Sequence, residues 1–317
     1  MEKTSKIYVA GHRGLAGSAI VRHLVSQGYS NLVLRSREEL DLTRTDEVRA
    51  FFASERPEYV FLAAAKVGGI LANSTLPADF IRENLAIELN VIESAHQHGV
   101  KKLEFLGSSC IYPKFASQPI KEECLLSGPL EPTNEWYAVA KIAGIKLCQA
   151  YRTQYGFNAI SLMPTNLYGP GDNFDLESSH VLPALIRKFY EAETQSRSEV
   201  VICGTGTPRR EFLHVNDLAS AAVYLMQHYE ESEIVNVGTG EDVTIRELGE
   251  MISGIVGFTG KLKYDASKPD GTPRKVLDVT RLHALGWRHR VKLEDGIEDT
   301  YRWFLENTGS ARLAAFR

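Results

Sequence analysis

One stretch near the start of the chain decides the fold: Lys6-Ile7-Tyr8-Val9-Ala10-Gly11-His12-Arg13-Gly14-Leu15-Ala16-Gly17. Its apolar, β-rich first half predicts a strand, and the helical periodicity of residues 18–27 predicts a helix behind it. Glycines spaced between a strand and a helix let the backbone approach a pyrophosphate at the helix N-terminus. The stretch therefore predicts a nucleotide-binding turn, although glycine-rich turns also occur for packing alone.

The first half of the chain repeats this alternation of strand and helix. Four further β-rich runs are separated by stretches with helical periodicity, such as residues 86–98. The runs are residues 32–34, 59–62, 103–106 and 160–162. Strand and helix in turn predict an α/β fold of the Rossmann type, with a doubly wound parallel sheet and helices on both faces.

The pattern loosens after about residue 165, where the turn-rich segment Gly169-Pro170-Gly171-Asp172-Asn173 follows. Beyond it we expect a helix over 181–192, short strands over 200–202 and 234–236, and a helix opened by the capping box Thr244-Ile245-Arg246-Glu247. We predict a Rossmann domain over residues 1–165 and a smaller α/β substrate lobe over 166–317. Crossing of the chain between the lobes would blur that boundary.

Composition excludes several classes of function. The 317 residues are 44% hydrophobic and 24% charged, and 36 Lys and Arg against 40 Asp and Glu leave a net charge of −4, which disfavours nucleic acid as a partner. The longest apolar run, Tyr59 to Ala65, falls far short of the ~20 residues of a membrane helix. The first dozen residues run into an apolar, strand-like stretch, so we expect no secretory leader, and four scattered cysteines form no C-x-x-C pair. We expect no metal site, no disulfide framework and a reducing, cytoplasmic compartment.

The residues after the second strand bear on the choice of cofactor. NAD sites place an acidic residue ~20 residues past the glycine turn, whereas a 2′-phosphate requires arginine. Here the region reads Arg35-Ser36-Arg37, and Arg13 adds a guanidinium inside the turn. Forked, charge-assisted bonds suit a phosphate, so the pattern favours NADP. Two readings stay open: Glu38 or Glu39 bends back to a ribose, or the arginines are solvated surface residues.

A second pattern suggests proton chemistry. Tyr137 and Lys141 lie four residues apart in a helical stretch and project from one face. An ammonium beside a phenol is expected to lower the phenol pKa from about 10 and so make it a useful acid and base. Ser108 stands at the end of the fourth strand, where it can polarise a carbonyl in the crevice shared with the glycine turn.

Four long segments surround these residues and are much more distinctive than the glycine turn. They are Gly107-Ser108-Ser109-Cys110-Ile111-Tyr112-Pro113-Lys114, Glu131-Pro132-Thr133-Asn134-Glu135, Met163-Pro164-Thr165-Asn166-Leu167-Tyr168-Gly169-Pro170 and Lys268-Pro269-Asp270-Gly271-Thr272-Pro273-Arg274-Lys275. From Ile7 to about Trp303 the chain resembles the extended short-chain dehydrogenase/reductase family. Within it, the segments are similar to the GDP-L-fucose synthases, NADPH-dependent epimerase-reductases that act on GDP-4-keto-6-deoxy-D-mannose.

The resemblance implies a catalytic set. Inverting the carbons on both sides of a 4-keto group needs two proton carriers, and the resemblance assigns them to Cys110 as base and His180 as acid. It further implies that Tyr137 protonates the reduced oxygen, Lys141 holds the cofactor ribose and Ser108 binds the oxygen. Without the resemblance, Cys110 reads equally well as an inert buried thiol, and His180 as a helix cap or surface residue.

The resemblance also implies the binding residues. For NADPH they are Gly11, His12, Arg13, Gly14, Leu15, Ala16, Gly17, Arg37, Asp41, Leu42, Leu106, Gly107, Ser108, Ser109, Lys141, Pro164, Thr165, Asn166, Leu167 and His180. For the GDP-linked sugar they are Lys188, Cys203, Arg210 and Asp270. Cys203 stands where bacterial members carry tryptophan. A solvated basic turn is the alternative interpretation of Arg209 and Arg210.

The family is typically dimeric, and apolar helices over residues 86–98 and 143–155 suit a homodimer, although burial within one subunit explains the same pattern. Two rival functions remain. One is another NAD(P)-dependent sugar-nucleotide epimerase or dehydratase that regenerates its cofactor in each cycle. The other is a non-catalytic module that senses NADP. Net consumption of NADPH separates the first rival from a reductase, and an intact Ser108, Tyr137 and Lys141 argues against the second.

Overall fold

The computed structural model describes residues 1–268 and 270–308. Pro269, within one of the four distinctive segments, lies outside the described residues. So does the end of the second predicted domain, residues 309–317.

The described residues form thirteen strands and ten helices. The strands are β1 (Ile7–Ala10), β2 (Leu32–Val33), β3 (Tyr59–Leu62), β4 (Lys102–Leu106), β5 (Ala159–Pro164), β6 (Asn166–Tyr168), β7 (Glu199–Cys203), β8 (Arg209–Arg210), β9 (Phe212–His214), β10 (Val235–Val237), β11 (Val243–Thr244), β12 (Lys261–Asp265) and β13 (Arg274–Lys275). The helices are α1 (Leu15–Ser26), α2 (Thr45–Glu55), α3 (Ile70–Thr75), α4 (Pro77–Gln97), α5 (Glu135–Tyr155), α6 (Val181–Thr194), α7 (Val215–His228), α8 (Ile245–Val256), α9 (Thr280–Ala284) and α10 (Leu293–Asn307).

A six-stranded parallel sheet forms the larger lobe, with the strand order β10-β5-β4-β3-β1-β2. Every residue of β1, β4 and β5 is buried, which is the pattern of a sheet covered on both faces. One apolar cluster fills each face of the sheet. The predicted doubly wound α/β fold is confirmed.

The chain crosses between the lobes. β10 pairs with β5 in the large sheet although it follows α6 and β7 in sequence. The core of the smaller lobe gathers residues from α6, α8 and α10 and from β7, which pairs with β12. The edge strand β10 of the large sheet therefore comes from beyond residue 165. A division of the chain at residue 165 would assign this strand to the smaller lobe.

Local signals account for most element boundaries. The predicted capping box is present: the Thr244 hydroxyl accepts from Glu247 N at 3.0 Å, and the Glu247 carboxylate accepts from Thr244 N at 2.7 Å. α4 begins at Pro77, earlier than the apolar periodicity from residue 86 indicates, because proline suits the first turn of a helix. No helix among the described residues is long and apolar enough to cross a bilayer.

Candidate active site

The glycine turn forms a tight cradle between β1 and α1. Gly11 has φ of +83°, and a Cβ built there would lie 2.7 Å from the Ala64 Cα. A Cβ on Gly17 would lie 2.1 Å from the Gly11 carbonyl oxygen. Gly14 is the N-cap of α1, so the helix N-terminus opens from the turn. Side chains are excluded at Gly11 and Gly17, and the backbone can approach a phosphate closely.

The arginines near the second strand separate into two kinds. Arg35 donates to Glu55 at 2.5 Å and to the Leu34 carbonyl at 2.9 Å, which holds it against the fold. Arg13 and Arg37 are exposed, with Arg13 3.4 Å from Glu38. Arg37 likewise lies 3.4 Å from Glu83, so Arg13 and Arg37 are exposed guanidinium groups at the edge of the cradle, each beside a carboxylate.

Other predicted cofactor residues follow the carboxyl ends of the central strands. Leu106 ends β4 and Gly107 follows it, where a Cβ would meet the Met163 Cε at 2.4 Å. Pro164 ends β5, and the side chains of Thr165 and Asn166 bond to the Glu211 carbonyl, at 3.4 and 2.7 Å. The side chains of Thr165 and Asn166 fix the segment after β5. The backbone of this segment is therefore left to line the crevice at the carboxyl ends of the strands.

The loop after β2 carries the next two predicted cofactor residues. The Asp41 carboxylate accepts from Thr43 N at 3.0 Å and from the Thr43 hydroxyl at 2.8 Å. The Leu42 carbonyl accepts from Asn90 Nδ2 at 2.9 Å, which fastens the loop to α4. The loop is thus fixed in place beside the strands that carry the glycine turn.

Ser108 and Tyr137 are neighbours in the site. Ser108 precedes a short 3-10 turn, Ser109–Ile111, and its hydroxyl accepts from Cys110 N at 3.2 Å. The Ser108 side chain also lies close enough to the Tyr137 phenol to lower the pKa of that phenol. Lys141 lies one turn further along α5, with its Nζ 5.9 Å from the centre of the Tyr137 ring. The three residues predicted to act together are thus neighbours.

Lys141 is buried against a carboxylate that the sequence analysis did not single out. Its Nζ lies 3.3 Å from Glu88 Oε1 and donates to the Leu106 carbonyl at 3.0 Å. Gly144 makes room for this pair, because a Cβ there would lie 2.8 Å from Glu88 Oε2. Burial lowers the pKa of Lys141, and Glu88 opposes that shift. Burial raises the pKa of Glu88 to about 7, against the pull of Lys141.

The pKa of Tyr137 shifts opposite to the expected direction. Burial raises the pKa of Tyr137, and the nearby Cys110 and Glu88 raise it further, while the Ser108 side chain lowers it. The expectation of a lowered phenol pKa considered Lys141 alone. Loss of solvent around the phenol outweighs an ammonium that already has Glu88 as its partner.

Cys110 lies among donors from two other segments. Asn134 Nδ2 lies 3.3 Å from the Cys110 Sγ, and Lys275 Nζ lies 3.6 Å from it. His180 is the N-cap of α6 and is accessible to solvent, yet surrounding protein lowers its pKa, with Lys275 adding a like charge. The two predicted proton carriers therefore share Lys275 as a neighbour.

Two predicted substrate residues lie together at the smaller lobe. Arg210 NH2 donates to the Asp270 carbonyl at 3.4 Å, and the Asp270 carboxylate accepts from Thr205 N at 2.7 Å. Cys203 is exposed at the end of β7, and Lys188 lies on α6, partly buried.

Arg209 and Arg210 differ in their partners and in their burial. Arg209 Nε pairs with Asp242 at 2.7 Å, so this arginine is not a free basic turn residue. Burial lowers the pKa of Arg210, while Asp270 and Glu131 oppose the shift. Arg210 is thus the arginine that faces inward.

Sequence reasoning missed Lys275, Asn134 and Glu88 as members of this site. Lys275 and Asn134 stand inside two of the distinctive segments, so their position was a usable signal. Glu88 is 2% exposed on the buried face of α4. The only sequence signal for Glu88 was an acidic residue among the apolar positions of this helix. In the described part of the chain no group of three or more His, Cys, Asp or Glu could hold a metal ion.

The sheet, the glycine cradle and the Ser–Tyr–Lys group define the class of nucleotide-dependent Rossmann-fold dehydrogenases and reductases. The model of the "NAD dependent epimerase/dehydratase family" matches residues 7–238, and the chain belongs to this family. This confirms the expected relation to the extended short-chain dehydrogenase/reductases.

Several proteins with sequences similar to this chain carry the name of one particular enzyme. The chain is 64% identical to "GDP-L-fucose synthase 1" of Arabidopsis thaliana over 306 residues, 96% of this chain and 95% of the relative. It is 58% identical to "GDP-L-fucose synthase" of Escherichia coli K12, covering 95% and 97%. A solved GDP-L-fucose synthetase from Naegleria fowleri bound to NADP superposes with a TM-score of 0.91 at 30% identity, covering 98% and 97%. The expected similarity to GDP-L-fucose synthases is confirmed.

Proposed function

We propose that this chain converts GDP-4-dehydro-6-deoxy-D-mannose to GDP-L-fucose by 3,5-epimerisation followed by NADPH-dependent reduction of the 4-keto group. The observation that carries the proposal is the junction of two kinds of chemistry in one site. Ser108 lies beside Tyr137 and the buried Lys141, and Cys110 follows Ser108 on the same loop. The near full-length relatives named GDP-L-fucose synthases support this assignment.

The residues present fit NADPH. The cradle at Gly11 and Gly17 admits a phosphate where a Cβ would collide, and α1 directs its N-terminus there. Arg13 and Arg37 supply guanidinium groups for a 2′-phosphate, and Lys141 would hold the ribose. When bound, NADPH supplies the hydride that reduces the C4 ketone.

Epimerisation falls to Cys110 and His180. A ketone at C4 acidifies the protons at C3 and C5, and Cys110 as a thiolate removes one from one face. His180 returns a proton from the other face, and its lowered pKa makes its imidazolium a stronger acid while keeping most of the imidazole neutral at pH 7. Asn134 Nδ2 and Lys275 Nζ lie 3.3 and 3.6 Å from the Cys110 Sγ and hold this base in the pocket.

Reduction falls to Ser108, Tyr137 and Lys141. Ser108 hydrogen-bonds the ketone oxygen, and Tyr137 gives its proton to that oxygen as negative charge develops there. A raised phenol pKa keeps Tyr137 protonated until then. Lys141, fixed by Glu88 and the Leu106 carbonyl, holds positive charge behind the phenol.

The GDP part of the substrate would lie against the smaller lobe. Arg210 is partly buried and suits a diphosphate, while Lys188 and Asp270 would contact the nucleotide sugar. Cys203, exposed at the end of β7, offers a smaller contact than tryptophan would.

A homodimer is part of the proposal. Leu89 on α4 is 49% exposed and Trp136 at the start of α5 is 46% exposed, on two helices that pack together. Exposed apolar side chains on adjacent helices suit a partner copy. Light scattering would give twice the chain mass for the native protein and the mass of one chain for Leu89→Glu.

The four free cysteines suit a reducing, cytoplasmic compartment.

The test is absorbance at 340 nm with NADPH and enzymatically prepared GDP-4-keto-6-deoxy-mannose, with the product identified by chromatography and NMR. Oxidation of NADPH with formation of GDP-L-fucose is expected. Deuterium uptake beside the ketone without oxidation would indicate an epimerase without a reductase step. If NADPH is not oxidised and no deuterium is taken up, the proposal is overturned. That result would favour another sugar-nucleotide substrate, or a module that senses NADP.

A further inference from the structure

We propose that Lys275 is a positioning residue for epimerisation, whose ammonium holds Cys110 as the thiolate that removes the substrate proton. This inference rests on the proposed function, since it concerns the base of that reaction. The contact that carries it is the 3.6 Å separation of Lys275 Nζ and Cys110 Sγ. Thiolates are stabilised by a neighbouring cation, and the thiolate is the active form of cysteine.

The backbone around Lys275 is fixed on both sides. β13 pairs in parallel with β8, with Lys275 opposite Arg210, and Glu211 N donates to the Lys275 carbonyl at 3.3 Å. Val276 N donates to Gln118 Oε1 at 2.9 Å. The ammonium is therefore presented from a held strand of the smaller lobe to a loop of the larger one.

Strand geometry assigns the two residues of β13 to different tasks. Neighbouring side chains on a strand point to opposite faces. Arg274 pairs with Asp242 at 2.5 Å on the outer side, whereas Lys275 reaches Cys110. The two cations at this turn thus have separate partners, and Lys275 is the one directed at the thiol.

The other titratable groups facing this pocket do not replace Lys275. Glu131 and Lys114 pair with each other at 3.1 Å. The Tyr137 phenol stays neutral because burial raises its pKa. His180 has a lowered pKa, and Lys275 is among the causes. Asn134 adds an uncharged donor at 3.3 Å from the Sγ.

The proton balance is simple. The proton leaves the carbon beside the ketone and moves to the Cys110 Sγ, while the electrons of the C–H bond pass to the ketone oxygen as an enolate. Lys275 keeps its proton throughout. Its effect is to raise the fraction of Cys110 that is thiolate before substrate arrives and to hold the Sγ within the pocket.

The experiment measures the pH dependence of iodoacetamide alkylation at Cys110, by peptide mass spectrometry on the full chain. Cys203, exposed on the same chain, is the internal reference. We expect Lys275→Met to raise the midpoint for Cys110 by about one pH unit and to slow its alkylation at pH 7 by roughly tenfold, without changing Cys203. Lys275→Arg, which retains the charge, is expected to keep the original midpoint.

Lys263→Met is the matched control, because it removes an exposed lysine of the same lobe that pairs with Glu199. It is expected to leave the Cys110 midpoint in place. Lys275→Gln repeats the measurement if the Met variant fails to fold. An unchanged midpoint in a folded, uncharged variant would overturn the proposal.

A parallel measurement separates this inference from the proposed function. With GDP-4-keto-6-deoxy-mannose, Lys275→Met should slow deuterium uptake beside the ketone by about tenfold while the NADPH dissociation constant stays constant. If the thiol midpoint shifts but the native protein exchanges no deuterium, the contact between Lys275 and Cys110 stands and the proposed substrate fails.

Discussion

The two ends of the site are built by different means. The cofactor cradle is made of glycines and backbone within one strand–turn–helix unit, where Gly11 and Gly17 leave no room for a side chain. The proton-transfer end joins Ser108, Tyr137 and Lys275, residues far apart in sequence. The comparison teaches that binding a phosphate needs only local geometry, whereas paired acid and base groups need long-range assembly.

The largest expected effect lies at the proton-transfer end. Tyr137→Phe should reduce the rate of NADPH oxidation by roughly 10²–10⁴-fold, because the developing alkoxide loses its proton donor. Deuterium exchange beside the ketone should persist. Cys110→Ala, the matched variant, should suppress exchange. NMR of substrate in deuterium oxide measures both, and normal exchange in Cys110→Ala would remove this cysteine from the mechanism.

The next effect tests the cradle. A Cβ in Gly17→Ala would lie 2.1 Å from the Gly11 oxygen, so α1 must shift. We expect a stability loss of about 1–3 kcal/mol or more and at least tenfold weaker NADPH binding, measured by denaturant titration and nucleotide fluorescence.

Gly254→Ala on α8 is the control for the cradle, since among the described residues no heavy atom beyond its chain neighbours and the nearby backbone of its own helix lies within 4 Å of its Cβ position. It should stabilise the chain by up to about 1 kcal/mol, because alanine favours helix more than glycine does. Equal losses of stability and NADPH affinity in Gly17→Ala and Gly254→Ala would show that Gly17 is not required by close packing in the cradle.

Glu88 lies between the two ends and should have a smaller effect. Glu88 raises the pKa of Lys141, so Glu88→Gln should lower it and move the alkaline limb of the reduction profile to lower pH, by about one unit. Exchange beside the ketone should keep its profile. Glu93→Gln, the same change elsewhere on α4, is the control. An alkaline limb that coincides with that of the native protein would leave Glu88 a structural role only.

The smallest effect belongs to the rim of the cradle. Arg37→Ala should weaken NADPH binding about tenfold and leave NADH binding unchanged, because only NADPH offers a 2′-phosphate to the exposed Arg37 guanidinium, which lies 3.4 Å from Glu83. Arg35→Ala should leave the preference between the cofactors intact, since Arg35 pairs with Glu55. Comparable dissociation constants of the native protein for NADPH and NADH would defeat the NADP assignment.

Sequence predicted the local features well. Strands such as β3 and the capping box of α8 follow from short-range pattern, and the glycine cradle follows from spacing. The partners of Cys110 and Lys141 could not be derived that way. Lys275 reaches the Cys110 loop from the other lobe, and Glu88 meets Lys141 through the packing of α4 on α5. The sign of the Tyr137 shift likewise depends on burial, which no local pattern reports.

The position of β10 has a consequence for how the protein is made. A ribosome delivers the chain from its N-terminus, so the large sheet lacks its edge strand until residue 237 has emerged. Before then, β5 is an unpaired edge, and α7 can cover its face of the sheet only after residue 228 has emerged. A gene cut at residue 165 would therefore encode an aggregation-prone fragment rather than an independent nucleotide-binding module.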